Sequence, residues 1–143
     1  MSNLNRFLKG NKKVRKNVRF AATKSLCDEQ GKPLEWELKP LTTRENDALR
    51  DDCTTEIPIP GKPGQYRSRF DATKYLARMI CACVVYPDLY NAQLQDSYGV
   101  KTPEALITEM IDNPTEYNAL AEFIQKENGL DATLSEKIDT AKN

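Results

Sequence analysis

The strongest constraint on the fold is an apolar pattern in residues 72–86. Seven side chains recur there at steps of three and four residues: Ala72, Tyr75, Leu76, Met79, Ile80, Cys83 and Val84. That spacing places them along one side of an α-helix. Asp71 is suited to cap the first turn, and Pro87 cannot continue a helix. Because the last turns hold few polar residues, we expect this helix to be central and buried on several sides.

Two strands are predicted before this helix. Apolar and polar side chains alternate in residues 17–22 and again in residues 34–39, where Trp36 lies on the apolar side. Residues 28–32, which include a glycine, are typical of a turn. The pattern therefore predicts an N-terminal β-hairpin.

Capping residues, prolines and glycines indicate where further helices begin and end. Thr42, followed three residues later by Glu45, has the spacing of a capping box and predicts a helix to about residue 52. Further helices are predicted at residues 92–98, 103–111, 114–128 and 132–141. Residues 54–70 hold three prolines and two glycines, so we expect an irregular loop there, either mobile or used for binding.

The predicted fold class is α+β and predominantly α-helical, with a small N-terminal sheet followed by short helices around one central helix. With 143 residues, the chain has the size of one domain. We expect a flexible basic arm at residues 1–13 and a single α+β domain at residues 14–143. Within it, residues 14–53 hold the hairpin and a helix, residues 54–70 the loop, and residues 71–143 the helical body.

Charge is unevenly distributed along the chain, although the formal net charge is +0. Residues 1–26 carry eight basic residues and no acidic one, whereas residues 88–143 carry eleven acidic residues against four lysines. Such asymmetry suggests an acidic partner, a nucleic acid or the acidic half of the chain itself. Within residues 1–26, only Phe7 and Phe20 are available to stack on bases. A solvated arm leading into an edge strand is therefore favoured over a nucleic-acid tail.

The sequence contains no histidine, which removes the most common general base and the most common metal ligand. The cysteines at positions 27, 53, 81 and 83 lack the spacing of a zinc site. We expect no export signal and no membrane span, and therefore reduced, buried thiols. No phosphate-binding loop or catalytic pair of carboxylates is evident. The sequence predicts no catalytic residue, no metal and no cofactor, and leaves a binding or assembly role.

Several segments resemble, in the same order, the XkdN-like phage tail assembly chaperones of Firmicutes prophages and contractile-tailed phages. The similarity begins with Leu-Asn-Arg-Phe-Leu at residues 4–8 and continues through the turn and strand at residues 28–36. It includes residues 41–50 and is densest at residues 84–89 and 94–100. The similarity extends over nearly the whole chain, and it is carried by the order of the segments rather than by one motif.

This resemblance implies a non-enzymatic chaperone that binds the tape measure protein and keeps it soluble while tube subunits polymerise around it. The implied partners are the tape measure protein, the tail tube protein and further copies of the chaperone. From the residues themselves we expect no membrane partner, and a protein partner is favoured over a nucleic acid. The implied location is the cytoplasm of the bacterial host, with the protein absent from the mature virion. Two alternatives stay open: a structural or connector component of the tail, and a small nucleic-acid-binding module that uses the basic arm.

The candidate partner-binding residues follow the central helix. Tyr86, Leu89, Leu94 and Tyr98 form a run of apolar and aromatic residues in short segments beside Pro87. We predict that they form a surface for the partner or for self-association. The competing interpretation is that these residues mark the ends of helices and pack into the core.

Overall fold

A computed structural model describes residues 3–130 of the chain. Within these residues the strands are β1 (Val18–Phe20), β2 (Trp36–Leu38), β3 (Thr54–Pro58), β4 (Tyr66–Phe70) and β5 (Val84–Tyr86). The helices are α1 (Thr43–Asp52), α2 (Ala72–Cys83), α3 (Ala92–Ser97), α4 (Pro103–Met110) and α5 (Pro114–Glu127). Short 3-10 helices at Asn3–Phe7 and Lys9–Asn11 precede them. The predicted α+β class is confirmed, and the helix predicted at residues 132–141 lies outside the described residues.

The predicted N-terminal hairpin forms two strands of a three-stranded antiparallel sheet with the order β1-β2-β5. Val18 lies opposite Leu38, and Phe20 lies opposite Trp36. These four side chains face the core, where Phe20 also stacks on Phe123 of α5 with ring centroids 4.4 Å apart. The period of two in the sequence thus places one apolar face of the sheet against the helices.

The central helix is shorter than the predicted range of residues 72–86. α2 ends at Cys83, and Val84–Tyr86 forms β5 in place of a last helical turn. Val84 pairs with Leu38 on β2. Valines at positions 84 and 85 favour extended backbone because their branched side chains crowd a helix. Pairing with β2 therefore overrides the helical spacing of the apolar residues.

The prediction of an irregular loop at residues 54–70 is wrong, because these residues form a second antiparallel sheet of two strands, β3 and β4. Thr54 lies opposite Phe70 and Pro58 opposite Tyr66. Prolines and glycines are concentrated at the turn between the strands, where Gly61 and Gly64 have φ angles of 76° and 80°. These residues therefore specify the reversal of a hairpin rather than an irregular segment.

The core lies where α2 packs against α1, α4, α5 and β5. Its most deeply buried apolar side chains come from α2 and the helices that follow it: Met79, Ile80, Leu106, Ile107, Leu120 and Ile124. The first turns of two helices are capped as predicted. Thr42 and Glu45 form a reciprocal capping box on α1, and the Asp71 carboxylate accepts the Lys74 amide N–H at 3.1 Å on α2. Residues within the first turn of each of these helices therefore determine where the helix begins.

The thiols provide a test of this packing. Cys27 is exposed, whereas Cys53, Cys81 and Cys83 are buried. Burial raises the pKa of Cys81 to about 12 and the pKa of Cys83 to about 11, and it also raises the pKa of Cys53.

Because the thiolate is the reactive form, we expect one thiol per folded chain to react rapidly with a disulfide reagent at pH 8, and four after denaturation. Two or more rapid thiols in the folded chain would contradict this packing.

Glu116 connects the start of α5 to the segment after β1. Its carboxylate accepts the Lys24 amide N–H and the Thr23 hydroxyl, each at 2.8 Å. These hydrogen bonds, with the Lys24 backbone bond as the largest cause, lower the pKa of Glu116 below its usual value of 4.5.

A lowered folded-state pKa means that the stabilisation by Glu116 is fully present above pH 4.5 and is lost as the pH falls through the lowered value. We expect Glu116→Gln to be less stable than the unchanged protein near pH 7. The difference in melting temperature between the two proteins should shrink as the pH falls below 4.5. A difference in melting temperature that does not depend on pH would show that the charge of Glu116 contributes nothing.

Candidate partner-binding surface

The four predicted partner-binding residues lie in different environments. Tyr86 is 66% exposed, whereas Leu89 is only 2% exposed and belongs to the core. Leu94 and Tyr98 are half-buried and pack against the core. The Leu89 side chain therefore packs inside the domain and is not available to a partner. Of the four, Tyr86 alone presents most of its side chain to solvent.

Val85 joins Tyr86 at the surface because β5 contains a β-bulge. Leu38 pairs with Val84 and Glu37 pairs with Tyr86, so Val85 has no residue opposite it on β2. Val85 is consequently 44% exposed. β5 is also an edge strand of its sheet. Since a bulge interrupts the regular ladder that an added strand needs, this edge is poorly suited to pairing with a further strand.

Tyr90, which is 73% exposed, follows in a turn held by hydrogen bonds. The Asp88 carboxylate accepts the Tyr90 amide N–H at 3.0 Å, and the Gln95 side-chain amide donates to the Leu89 carbonyl at 2.8 Å. The Leu89 side chain, which is buried in the core, anchors the same turn to the domain. We call Val85, Tyr86 and Tyr90 the tyrosine surface.

Sequence reasoning assigned Val85 to the central helix and did not identify Tyr90. Tyr90 belongs to no apolar period, but it directly precedes Asn91, whose side chain caps α3 by accepting the Leu94 amide N–H at 2.9 Å. A residue just before an N-cap lies in a connecting segment, which is usually exposed. The cap at Asn91 was therefore the signal that could have indicated the exposure of Tyr90.

Polar residues border the tyrosine surface on the outer face of the three-stranded sheet. Arg19 on β1 lies opposite Glu37 on β2, and Glu37 lies opposite Tyr86 on β5. The Asn17 side-chain amide donates to the Glu37 carboxylate at 3.4 Å. Tyr86 thus lies beside the acidic Glu37, which in turn lies beside the basic Arg19.

The residues described here do not form a metal centre. Among residues 3–130, no group of three or more His, Cys, Asp or Glu side chains is placed to hold a metal ion. No helix in this part of the chain is long and apolar enough to cross a membrane.

Comparison with known protein families gives a match over nearly the whole chain. The model of a family described as phage XkdN-like tail assembly chaperone protein matches residues 4–142. The chain belongs to this family. The resemblance inferred from the sequence is therefore confirmed, and the family places the protein among phage tail assembly chaperones, whose partners are phage tail proteins.

Individual relatives agree with the family over most of the chain. The phage-like element PBSX protein XkdN of Bacillus subtilis (strain 168) is 26% identical over 138 residues, which are 96% of this chain and 91% of that protein. YqbN of the same strain has the same identity and coverage. The crystal structure of YqbN is similar with a TM-score of 0.73 at 21% identity, and the match covers 90% of this chain and 98% of the other. The fold is therefore shared.

Proposed function

We propose that this protein binds the phage tape measure protein and keeps it soluble until tube subunits enclose it. The observation that carries this proposal is the family match over residues 4–142, which makes the chain a tail assembly chaperone. The chaperone acts in the host cytoplasm, catalyses no reaction and is absent from the finished virion.

A long helical tape measure protein exposes apolar stripes that must be covered reversibly. A chaperone with this role needs small contact areas of modest affinity, because each copy of the chaperone must dissociate when tube subunits arrive. Many such sites along one long partner give high occupancy in total. A small domain with a compact aromatic contact patch fits this requirement.

The tyrosine surface is the contact region that we propose for the tape measure protein. Val85, Tyr86 and Tyr90 combine apolar area with hydroxyl groups, and tyrosine is enriched at the energetically dominant positions of protein interfaces. The turn between Tyr86 and Tyr90 is held by hydrogen bonds to its backbone, so little backbone freedom is lost when a partner binds.

Co-expression with the tape measure protein of the same phage tests the proposal. We expect the tape measure protein to move from the insoluble to the soluble fraction when this chain is present, and to stay insoluble with an empty vector. If the tape measure protein stays insoluble in both cases, the proposed function is wrong.

Mass spectrometry of purified tails separates a chaperone from a structural or connector component. We expect peptides of this chain in assembly intermediates and none above background in finished tails. Stoichiometric amounts in finished tails would assign the protein to the tail structure instead.

A further inference from the structure

The N-terminal strap, which we define as residues 5–14, lies on the surface of the domain without packing into it. All of its residues are exposed, and among them Phe7 is 83% and Val14 is 86% exposed. No ion pair in the described part of the chain includes a strap residue. Burial of apolar surface therefore contributes little to holding the strap in place.

Hydrogen bonds within the strap join its own residues. The Asn5 carbonyl accepts the Asn11 side-chain amide at 2.5 Å and the Leu8 amide N–H at 3.3 Å. The Leu8 carbonyl accepts the Asn11 amide N–H at 2.9 Å. Among the residues that the structure describes, no hydrogen bond joins residues 5–14 to the sheets or the α-helices. The strap is thus a unit that can move as a whole.

A hollow of about 550 Å³ lies between the strap and the domain. Lys9, Lys12 and Lys13 line it on one side, and Pro40 and Thr42 line it on the other. Segments with few buried contacts open at a low cost in free energy. Because a hollow lies where side chains would otherwise pack, the strap is such a segment.

Arg15, which directly follows the strap, is bonded to two distant parts of the chain. Its guanidinium donates to the Leu41 carbonyl and, at 3.2 Å, to the side-chain carbonyl of Asn128 at the end of α5. The Asn128 side chain also accepts the Leu41 amide N–H at 2.8 Å and donates to the Ile124 carbonyl at 2.8 Å. One amide side chain thus joins the residue after the strap, the connection between β2 and α1, and α5.

The contact between Arg15 and Asn128 also borders an apolar cavity of about 230 Å³. Both residues line this cavity, together with Leu38 of β2 and Phe123 of α5. Because these two lining residues are bonded to each other, their separation would open the cavity further.

We propose that Arg15 and Asn128 form a latch that holds the N-terminal strap, so that the chain has a latched and a released state. In the latched state the strap has a fixed place beside the hollow. In the released state the strap moves freely and the apolar cavity is open to solvent. Hydrogen bonds from a charged donor are stronger than those between neutral groups, so this contact can hold a strap that has no buried side chain. The latch does not depend on the proposed function, because it is tested on the purified chain alone.

Backbone nitrogen-15 relaxation of the purified protein tests the latch. In the unchanged protein, we expect order parameters above about 0.6 for residues 5–14, since lower values indicate a flexible backbone. In Arg15→Ala, which leaves the hydrogen bond between Asn128 and Leu41 in place, these order parameters should fall below about 0.6, whereas α2 should stay near about 0.85. Order parameters below about 0.6 for the strap of the unchanged protein, or an ordered strap in Arg15→Ala, would overturn the proposal.

Two substitutions of Asn128 separate the latch from a general loosening of the fold. Asn128→Ala removes the acceptor for Arg15, so the strap should lose order as it does in Arg15→Ala. Asn128→Asp keeps an acceptor and gives it a negative charge, so the strap should stay ordered. Equal loss of order in the two Asn128 variants would overturn the proposal. Should Asn128→Ala not fold, the comparison of Arg15→Ala with Asn128→Asp still decides.

Lys16→Ala is the matched control for Arg15→Ala. Lys16 is the next residue, has the same charge and is exposed, and within residues 3–130 it forms no ion pair. We expect the order parameters of residues 5–14 to be unchanged in this variant. An equal loss of order in Lys16→Ala and Arg15→Ala would show that the hydrogen bonds of Arg15 do not hold the strap, and would overturn the proposal.

Discussion

Replacing Ile80 with alanine is expected to lower the free energy of unfolding by about 2–5 kcal/mol. Ile80 is completely buried in α2, the helix that packs against α1, α4, α5 and β5. Removal of its side-chain carbons leaves a cavity that several elements would have to close together. Because the free energy of unfolding of a small domain is only about 5–15 kcal/mol, this single change removes a large part of the stability of the domain.

Denaturant unfolding followed by the fluorescence of Trp36, the one tryptophan of the sequence, measures this loss. Trp36 is 2% exposed and lies in the same core, so its emission changes when the core opens. The matched control is Ile57→Ala on β3, where the isoleucine is half-buried and does not pack on the main core. We expect that control to cost less than about 1 kcal/mol. Equal losses for the two variants would contradict the central position of α2.

Replacing both Tyr86 and Tyr90 with serine is expected to weaken binding of the tape measure protein by about 30-fold or more without changing the melting temperature. Tyrosines at dominant positions of an interface contribute about 2 kcal/mol or more, and 1.4 kcal/mol corresponds to a factor of ten in Kd. Both side chains are mostly exposed, so the folded domain loses little packing.

Tyr66→Ser is the matched control for this double variant. Tyr66 is 59% exposed and also lies at a strand end, but in the two-stranded sheet of β3 and β4. We expect its effect on binding to be less than about threefold. Equal weakening by Tyr66→Ser, or undiminished binding by the double variant, would show that the tyrosine surface is not the contact region.

The sequence predicts those parts of the fold that depend on neighbouring residues. The capping box at Thr42 and Glu45, the cap at Asp71 and the alternation around Trp36 each depend on residues within a few positions, and the structure has all of them. The end of α2 could not be predicted in this way. Val84 and Tyr86 become a strand because β2 lies beside them, and that neighbour is more than forty residues away in the chain.

The hairpin of β3 and β4 was missed for a different reason. Its prolines and glycines suggest irregular backbone, and its strands are mostly exposed, so they lack the alternation that indicates a buried face. Glycines at the reversal permit a tight connection between two strands, and this possibility cannot be distinguished from a loop by composition alone.

The candidate surface was predicted only in part. The segment around Pro87 was identified because it is rich in aromatic and apolar residues, and Tyr86 is indeed exposed. Composition does not tell which apolar residue of a turn faces inward. Leu89 is buried in the core, whereas the next residue, Tyr90, is exposed, and this division depends on tertiary packing rather than on local composition.

Size-exclusion chromatography with light scattering on the co-expressed tape measure protein tests the central claim most directly. We predict one soluble complex whose mass corresponds to one tape measure chain with many copies of this 16.2 kDa protein. Elution of this protein by itself, with the tape measure protein aggregated or in a separate peak, would contradict the proposed chaperone function.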